Sequence, residues 1–421
     1  MASGLPAAPT AVRGTAEVPG SKSETNRALV LAALADAPSL LTGTLASRDS
    51  DLMIQALRHL GVTVAENGPG VLHISPPERL HGCAEGIDCG LAGTVMRFVP
   101  PVAALADGPT HFFGDPHASN RPMKGLLDAL RHLGASVSGD ALPFTLAPGR
   151  LAPATFVEIN ASASSQFISG LLLAAPHLPT GLQLRAVGAV PSRPHIAMTT
   201  AMLRARGVTI TEPDSTTWQV APGPIAGRDT RIEPDLTNAA AFLAAAAATG
   251  GSVTVPAWPT SSLQPGAMFL TIAEAMGCDV LRSPEQVTVS GPGALRAITV
   301  DLHAASELTP VVAALAALAR GTSRITGVAH IRGHETDRLA ALATELAKLG
   351  VAVRELPDGL EITGGIKTSG PVQLSTYADH RMVHFAAVVA LVTPELSVDD
   401  VTCVGKTMPD FPERWNALVG V

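Results

Sequence analysis

The sequence predicts an α/β protein built from repeated units, and three observations carry that prediction. An apolar, alanine- and leucine-rich segment recurs six times at about 70-residue spacing, beginning near Ser23, Ala92, Ser164, Leu236, Glu307 and Tyr377. In five copies a second helical pattern follows and stops at Gly, where an apolar period of 3.6 gives way to a period of two. Charged and hydroxyl residues gather just ahead of the first helix in every copy. Each unit therefore reads as helix, strand, helix, strand, strand.

Taken in order, the first copy opens at "PGSKSETNR" and its second helix ends in "ALRHLGVTV". The second runs from "CGLAGTVMR" to "ALRHLGASV", and the third from "ASASSQF" to "MLRARGVTI". The fourth spans "EPDLTNA" to "IAEAMGCDV" and the fifth "AASELTP" to "ELAKLGVAV". The sixth opens at "TYADHRM" and is cut short at "ERWNALVGV". Small residues, hydroxyls and charges at a helix start leave backbone N–H groups for an anion, which the helix dipole favours there. One such start is an ordinary N-cap. Six at equivalent positions point to a ligand.

Composition narrows the class. At 421 residues the chain exceeds a single ordinary core, so two domains are expected. Hydrophobic content of 46% against 15% charged describes a well-buried globular protein. The net charge of −7 and the 3% of aromatic residues argue against nucleic acid as a partner. An anionic ligand must then be held by a local cluster of cations. The start, "MASGLPAAPTAVRG", reads as neither signal peptide nor membrane anchor, and apolar runs such as "AAAFLAAAAATGG" fall short of the ~20 residues of a membrane span. Cys83, Cys89, Cys278 and Cys403 form no C-x-x-C pair, which suits a reduced cytoplasmic protein.

The candidate chemistry follows the helix starts. Lys22, Ser23 and Arg27, with Gly20 ahead of them, suit a phosphate or carboxylate, though the spacing is not that of a P-loop. Gly93 and Thr94 precede Arg97, a solvated or structural charge, and Arg121 lies before Pro122. Ser164, Ser165, Gln166, Ser192 and His195 are neutral donors for a polyhydroxylated ligand. His330, His334, Glu335 and Arg338 fall within nine residues, and Asp379, His380 and Arg381 follow. A His-x-x-x-His-Glu order beside two arginines sets cations against a metal, so no metal is expected. Glu307 and Glu335 among these cations instead suit acid–base work on a small polyanionic substrate pair.

The motifs "PGSKSETNRALVLAALA", "AGTVMR", "SASSQF", "HETDRL", "YADHRM" and "KTMPDF" resemble, in order and spacing, those of the 5-enolpyruvylshikimate-3-phosphate synthase family, from about Val18 to Phe411. That resemblance implies the two-domain enolpyruvyl transferase fold, six βαβαββ units as an inside-out α/β barrel, three per domain. Residues 1–20 with 233–421 would form the first, discontinuous domain and 21–232 the second, inserted one. The implied reaction moves the enolpyruvyl group of phosphoenolpyruvate to the 5-hydroxyl of shikimate 3-phosphate, releasing phosphate, on the route to chorismate and the aromatic amino acids. It implies no cofactor and no metal, small-molecule partners only, no membrane, a monomer in the cytoplasm, and sensitivity to glyphosate.

Carried over by motif, Lys22, Ser23, Arg27, Ser164, Ser165, Gln166, Ser192, Glu307, His330 and His334 resemble the shikimate 3-phosphate site. Lys22, Gly93, Arg121, Gln166, Arg338, Arg381 and Lys406 resemble the phosphoenolpyruvate site. Lys22, Glu307, Glu335 and His380 make the catalytic set, with Glu335 handling the proton at the enol methylene and Glu307 facing the reacting hydroxyl. Several positions depart from the commonest pattern: Glu307 stands for Asp, His334 for Lys, His330 for Asn, His195 for Tyr and Leu91 for Asn. These resemble the actinobacterial variant. An imidazole at 334 can lose its charge in the physiological range, unlike Lys. Two rivals remain. The UDP-N-acetylglucosamine enolpyruvyl transferase usually carries a reactive Cys in the loop that here reads "FGDPHASNRP" without one. A non-catalytic repeat scaffold would have no use for carboxylates and cations at helix starts.

Overall fold

The computed structural model describes residues 3–149, 156–368 and 370–420. The chain divides into two compact units, residues 1–19 with 233–421 and residues 20–232. Each holds its own apolar core.

In the unit of residues 20–232 the helices are α1 (Lys22–Ala33), α2 (Arg48–His59), α3 (Gly93–Ala103), α4 (Lys124–His132), α5 (Gln166–Ala174) and α6 (Arg193–Arg204). Three four-stranded sheets share one plan, a parallel pair followed by an antiparallel hairpin. In one, Ser39–Thr42 pairs parallel with Thr230–Arg231 and antiparallel with Val71–Ser75, which pairs in turn with Thr63–Glu66. The last strand of the unit thus returns to its first sheet. Helices α1, α3 and α5 pack on one another in the core. A Cβ on Gly170 of α5 would stand 2.2 Å from the Arg97 carbonyl oxygen of α3, so only glycine lets these helices approach so closely.

The other unit repeats the plan with α7 (Leu236–Thr249), α8 (Phe269–Ala275), α9 (Thr309–Leu318), α10 (Arg338–Lys348), α11 (His380–Ala390) and α12 (Phe411–Val419). Helix α7 is apolar on every side, and its residues from Leu236 to Ala247 are all buried, as such a helix must be. It packs with α9 and α11. Among the described residues two of this unit's sheets have four strands and the third has three, in which Ser3–Gly4 lies antiparallel beside Leu396–Val398. The shortened sixth copy accounts for the difference. Among the described residues no helix is long and apolar enough to cross a membrane.

The first helices begin within about three residues of their sequence-based starts, but three are closed by their own caps. Ser21, Asp235 and Asp379 each accept backbone N–H groups of α1, α7 and α11. At those starts the capping side chain takes one or two of the helix's first four N–H groups, so fewer remain for an anion.

Candidate active site

In the unit containing residues 233–421, the turn ahead of α11 positions the charges. Tyr377 and Ala378 both take left-handed backbone, with φ of 56° and 53°. That conformation costs about 1–2 kcal/mol for each non-glycine residue, so the surroundings must impose it. Buried Glu345 of α10 does so by accepting the Tyr377 hydroxyl at 2.6 Å and the Ser375 N–H at 3.0 Å. The turn delivers Asp379 to the start of α11, where it accepts the Arg381 N–H at 2.9 Å.

Asp379, fully buried, also receives two nitrogens of Arg338: Nε at 2.7 Å and Nη2 at 3.1 Å. Arg338 Nη2 donates again to Glu335 Oε2 at 2.9 Å, and the other Glu335 oxygen accepts Lys406 Nζ. A chain results, Lys406, Glu335, Arg338, Asp379, alternating in sign. Burial acts against the Arg338 charge, but Asp379 and Glu335 outweigh it and hold that guanidinium above its ordinary pKa. Arg338 Nη1 lies 3.0 Å from His334 Nδ1. A guanidinium can only donate, so Nδ1 is the acceptor in this pair.

Arg381 is placed differently. It is buried, its Nη1 donates to Asn238 Oδ1 at 3.0 Å, and its Nε has no hydrogen-bond partner among the described residues. Burial pushes its pKa down, with Asp235 opposing. A buried cation with an unused N–H is what an anionic ligand would complete. Glu307, in the short turn Ser306–Leu308 ahead of α9, acts electrostatically on Arg338, Arg381 and His330. Burial lowers the His330 pKa while Glu307 opposes it, and the ring lies 6.0 Å from that of His334 and 5.7 Å from that of His303. His380 Nδ1 is 3.6 Å from Asp379 Oδ1. The residues expected in this unit, Glu307, His330, His334, Glu335, Arg338, His380, Arg381 and Lys406, are thus linked in one neighbourhood. Among the described residues no group of three or more His, Cys, Asp or Glu is placed to hold a metal ion.

In the unit of residues 20–232, Lys22 opens α1 and donates to Asp49 Oδ2 at 3.1 Å. Arg27, one turn later, is buried and donates to the Ser23 carbonyl, Thr199 Oγ1 and the His195 carbonyl at 2.8, 2.7 and 3.0 Å. Burial lowers its pKa to about 9, with Glu24 opposing. Each of its three nitrogens donates within the protein, so Arg27 is first a tie between α1, α5 and α6. A second cluster centres on Gly93. A Cβ there would lie 2.7 Å from Arg97 Nη1, 3.1 Å from Gln166 Oε1 and 3.2 Å from Arg121 Nη2. Asn26 Nδ2 donates to Thr94 Oγ1 at 2.6 Å, joining the starts of α1 and α3. Ser164 Oγ accepts the Gln166 N–H at 3.2 Å, buried Ser165 precedes α5, and Ser192 takes a left-handed φ of 49° before α6.

Residues 6–415 match the family described as EPSP synthase (3-phosphoshikimate 1-carboxyvinyltransferase). A 3-phosphoshikimate 1-carboxyvinyltransferase of Mycobacterium ulcerans (strain Agy99) is 49% identical over 98% of this chain and 97% of its own length. The chain belongs to the EPSP synthase family. A Kocuria rhizophila relative of the same description is 50% identical over 97% of this chain and 94% of its own. In structure, EPSP synthase from Acinetobacter baumannii matches with a TM-score of 0.82 at 23% identity, covering 99% and 97% of the two chains. The enolpyruvyl transferase NikO from Streptomyces tendae matches at 0.78 and 16%, covering 99% and 96%. The two-domain enolpyruvyl transferase fold is common to both, so fold alone does not separate EPSP synthases from other enolpyruvyl transferases. The near-half identity to the two actinobacterial relatives does.

Sequence reasoning passed over Asn238, Asp49 and His384, and gave Asp379 and Arg97 no partners. Asp379 stands in the sequence among the charges of the sixth helix start, with nothing to show that it pairs with Arg338, and Asn238 and Asp49 carry no signal beyond their place near helix starts. Arg97 is 2% exposed and bridges Gln166 Oε1 and the Pro122 carbonyl, both at 3.1 Å, so it is structural and not solvated. His384 lies fully buried in α11, its ring 4.7 Å from that of Phe411, with no hydrogen-bond partner at either nitrogen among the described residues. Burial, reinforced by Arg381 and Arg338, holds its pKa well below the usual value. The folded state thus keeps His384 neutral while the unfolded chain protonates it below about pH 6.5. The unfolded state then binds more protons, and stability falls as pH drops, by up to about 1.4 kcal/mol per unit. In urea unfolding of wild type and His384→Leu at pH 7 and pH 5, the variant is expected to lose about 2 kcal/mol less between the two. Equal losses would show that His384 takes up its proton in the folded state.

Proposed function

We infer that this chain is a 3-phosphoshikimate 1-carboxyvinyltransferase. It transfers the enolpyruvyl group of phosphoenolpyruvate to the 5-hydroxyl of shikimate 3-phosphate and releases phosphate. The observation that carries this reading is identity of 49–50% to two such enzymes over nearly the whole chain. The assembled charges support it. Ser23, Arg27, Ser164, Ser165, Gln166, Ser192, Glu307, His330 and His334 are assigned to shikimate 3-phosphate. Gly93, Arg121, Gln166, Arg338, Arg381 and Lys406 are assigned to phosphoenolpyruvate. Lys22 serves both.

The reaction needs a proton at the enol methylene, which makes the adjacent carbon electrophilic. The 5-hydroxyl adds there and loses its proton, and the tetrahedral intermediate expels phosphate as the methylene proton is given back. Glu335 is assigned the methylene proton and Glu307 the hydroxyl, with Lys22 and His380 completing the catalytic set. Arg338, Arg381 and Lys406 stabilise the charge that gathers on the leaving phosphate. We also assign six βαβαββ units in an inside-out arrangement, three per domain, with domains at 1–20 with 233–421 and 21–232, and a cytoplasmic monomer. The repeated sheet plan and the buried first helices support the arrangement.

A phosphate-release assay supplied with both substrates tests the activity, with UDP-N-acetylglucosamine replacing shikimate 3-phosphate as the control. Release with the control alone would assign the rival transferase. A second test addresses Gly93. A methyl there would press on Arg97 and on the phosphoenolpyruvate candidates Arg121 and Gln166, all through the far ends of side chains. Gly93→Ala is expected to fold, to raise the Michaelis constant for phosphoenolpyruvate modestly, and to weaken inhibition by glyphosate about ten-fold or more, since crowding of this kind costs about 1–3 kcal/mol. Equal effects on substrate and inhibitor would remove Gly93 from the discrimination between them.

A further inference from the structure

The unit of residues 20–232 holds a third buried cation besides Arg27 and Arg97, at the other end of α6 from the candidates Ser192 and His195. Arg206 follows the last turn of α6 and is 2% exposed. Its Nη2 donates to Thr230 Oγ1 at 3.0 Å and its Nη1 reaches the Met202 carbonyl at 3.5 Å. Its Nε is buried with no hydrogen-bond partner among the described residues. The charge that acts on it most is a second cation, Arg228, and burial together with Arg228 brings its pKa down to about 10. The end of α6 offsets part of the charge through its carbonyls, an effect worth about 0.3–1 kcal/mol. A desolvated ion costs several times that unless it is paired.

Arg206 lines a recess of about 240 Å³ together with Gly207, Val208, Pro222, Pro224 and the exposed Asp36. Neither Gly207 nor Gly223 has another atom within 4 Å of where a Cβ would stand, so the rim is open. Asp36 does not neutralise the arginine: its Oδ1 accepts the Gly227 N–H at 2.9 Å, and it is not among the charges acting on Arg206. Arg228, exposed beside the recess with its Nη1 donating to the Ala205 carbonyl at 3.1 Å, adds positive potential from outside the lining.

We propose that this recess is a binding site for a small oxyanion, held by Arg206 and drawn in by Arg228. The oxyanion is tetrahedral, as in sulfate and phosphate, or a planar carboxylate; both offer acceptor oxygens to a guanidinium.

The test is thermal unfolding of the full chain in a low-salt zwitterionic buffer, with millimolar sulfate in one arm and acetate in the other, for wild type and Arg206→Leu. An anion at ten times its dissociation constant is expected to raise the wild-type melting temperature by about 3 °C. Arg206→Leu is expected to lose that rise and, without anion, to melt no lower than wild type, because it removes an uncompensated buried charge. Effects of sulfate on the candidate active site or on solvation are shared by both proteins and cancel. A rise in sulfate alone assigns a tetrahedral dianion, and a rise in acetate alone assigns a carboxylate. If the variant keeps the whole rise, or melts lower by the same amount in every buffer, Arg206 is structural and the proposal fails. Should Arg206→Leu not fold, wild-type crystals soaked in selenate decide the matter, since the proposal requires an anomalous peak within hydrogen-bonding distance of Arg206.

Discussion

Asp379→Ala is expected to lower the stability of the unit containing residues 233–421 by about 3–5 kcal/mol, the usual consequence of stripping one partner from a buried ion pair. Asp379 is wholly buried and accepts Arg338 Nε, Arg338 Nη2 and the Arg381 N–H. Removing it leaves Arg338 with Glu335 and His334 and leaves the start of α11 uncapped, a further ~1 kcal/mol. Asp379→Asn keeps an acceptor oxygen but no charge, so it should fall between wild type and Ala. Trp218 is the tryptophan of the other unit, so a Trp218→Phe background leaves Trp258 and Trp415 to report this one. Urea unfolding followed by their fluorescence gives the comparison. A loss below about 1 kcal/mol for Asp379→Ala would mean that water replaces the carboxylate and that Arg338 is far less desolvated than its burial implies.

The interaction behind this prediction marks a limit of sequence reading. The units themselves were legible, because α7 is apolar on every face and because Gly residues end the second helices in register. The candidate residues were legible too, since small and charged side chains cluster where each first helix begins. What joins those residues was not. Arg338 and Asp379 are 41 positions apart, and Arg97 and Gln166 are 69 apart, with nothing in either local pattern to name the partner. The caps were hidden for a related reason: Ser21, Asp235 and Asp379 suit an anion site by composition, yet in the fold each also takes one or two of the N–H groups at its helix start. His384 and Arg206 lie in segments that read as plain helix and turn, so only their burial without full partnership sets them apart.

Glu335→Gln is expected to lower kcat by about 10²–10⁴, the range for loss of a positioned acid–base group. Glu335 lies between Lys406 Nζ and Arg338 Nη2, one on each carboxylate oxygen, and both cations are assigned to phosphoenolpyruvate. A glutamine has the same shape and can still accept from one of them, but its amide cannot pass a proton to the enol methylene. Its nitrogen would also face a cation, so the Michaelis constant for phosphoenolpyruvate should move, while that for shikimate 3-phosphate should change little. The split separates chemistry from binding: a residue that only orders the cations would change the phosphoenolpyruvate constant and leave kcat nearly intact. Glu335→Asp keeps a titratable group about one methylene short of the right place, and should recover part of the lost turnover. Steady-state kinetics for the three proteins, with each substrate varied at saturation of the other, provides the measurement. If Glu335→Gln retains kcat within ten-fold of wild type, the methylene proton travels through another group, and Lys22 or His380 becomes the next to be replaced.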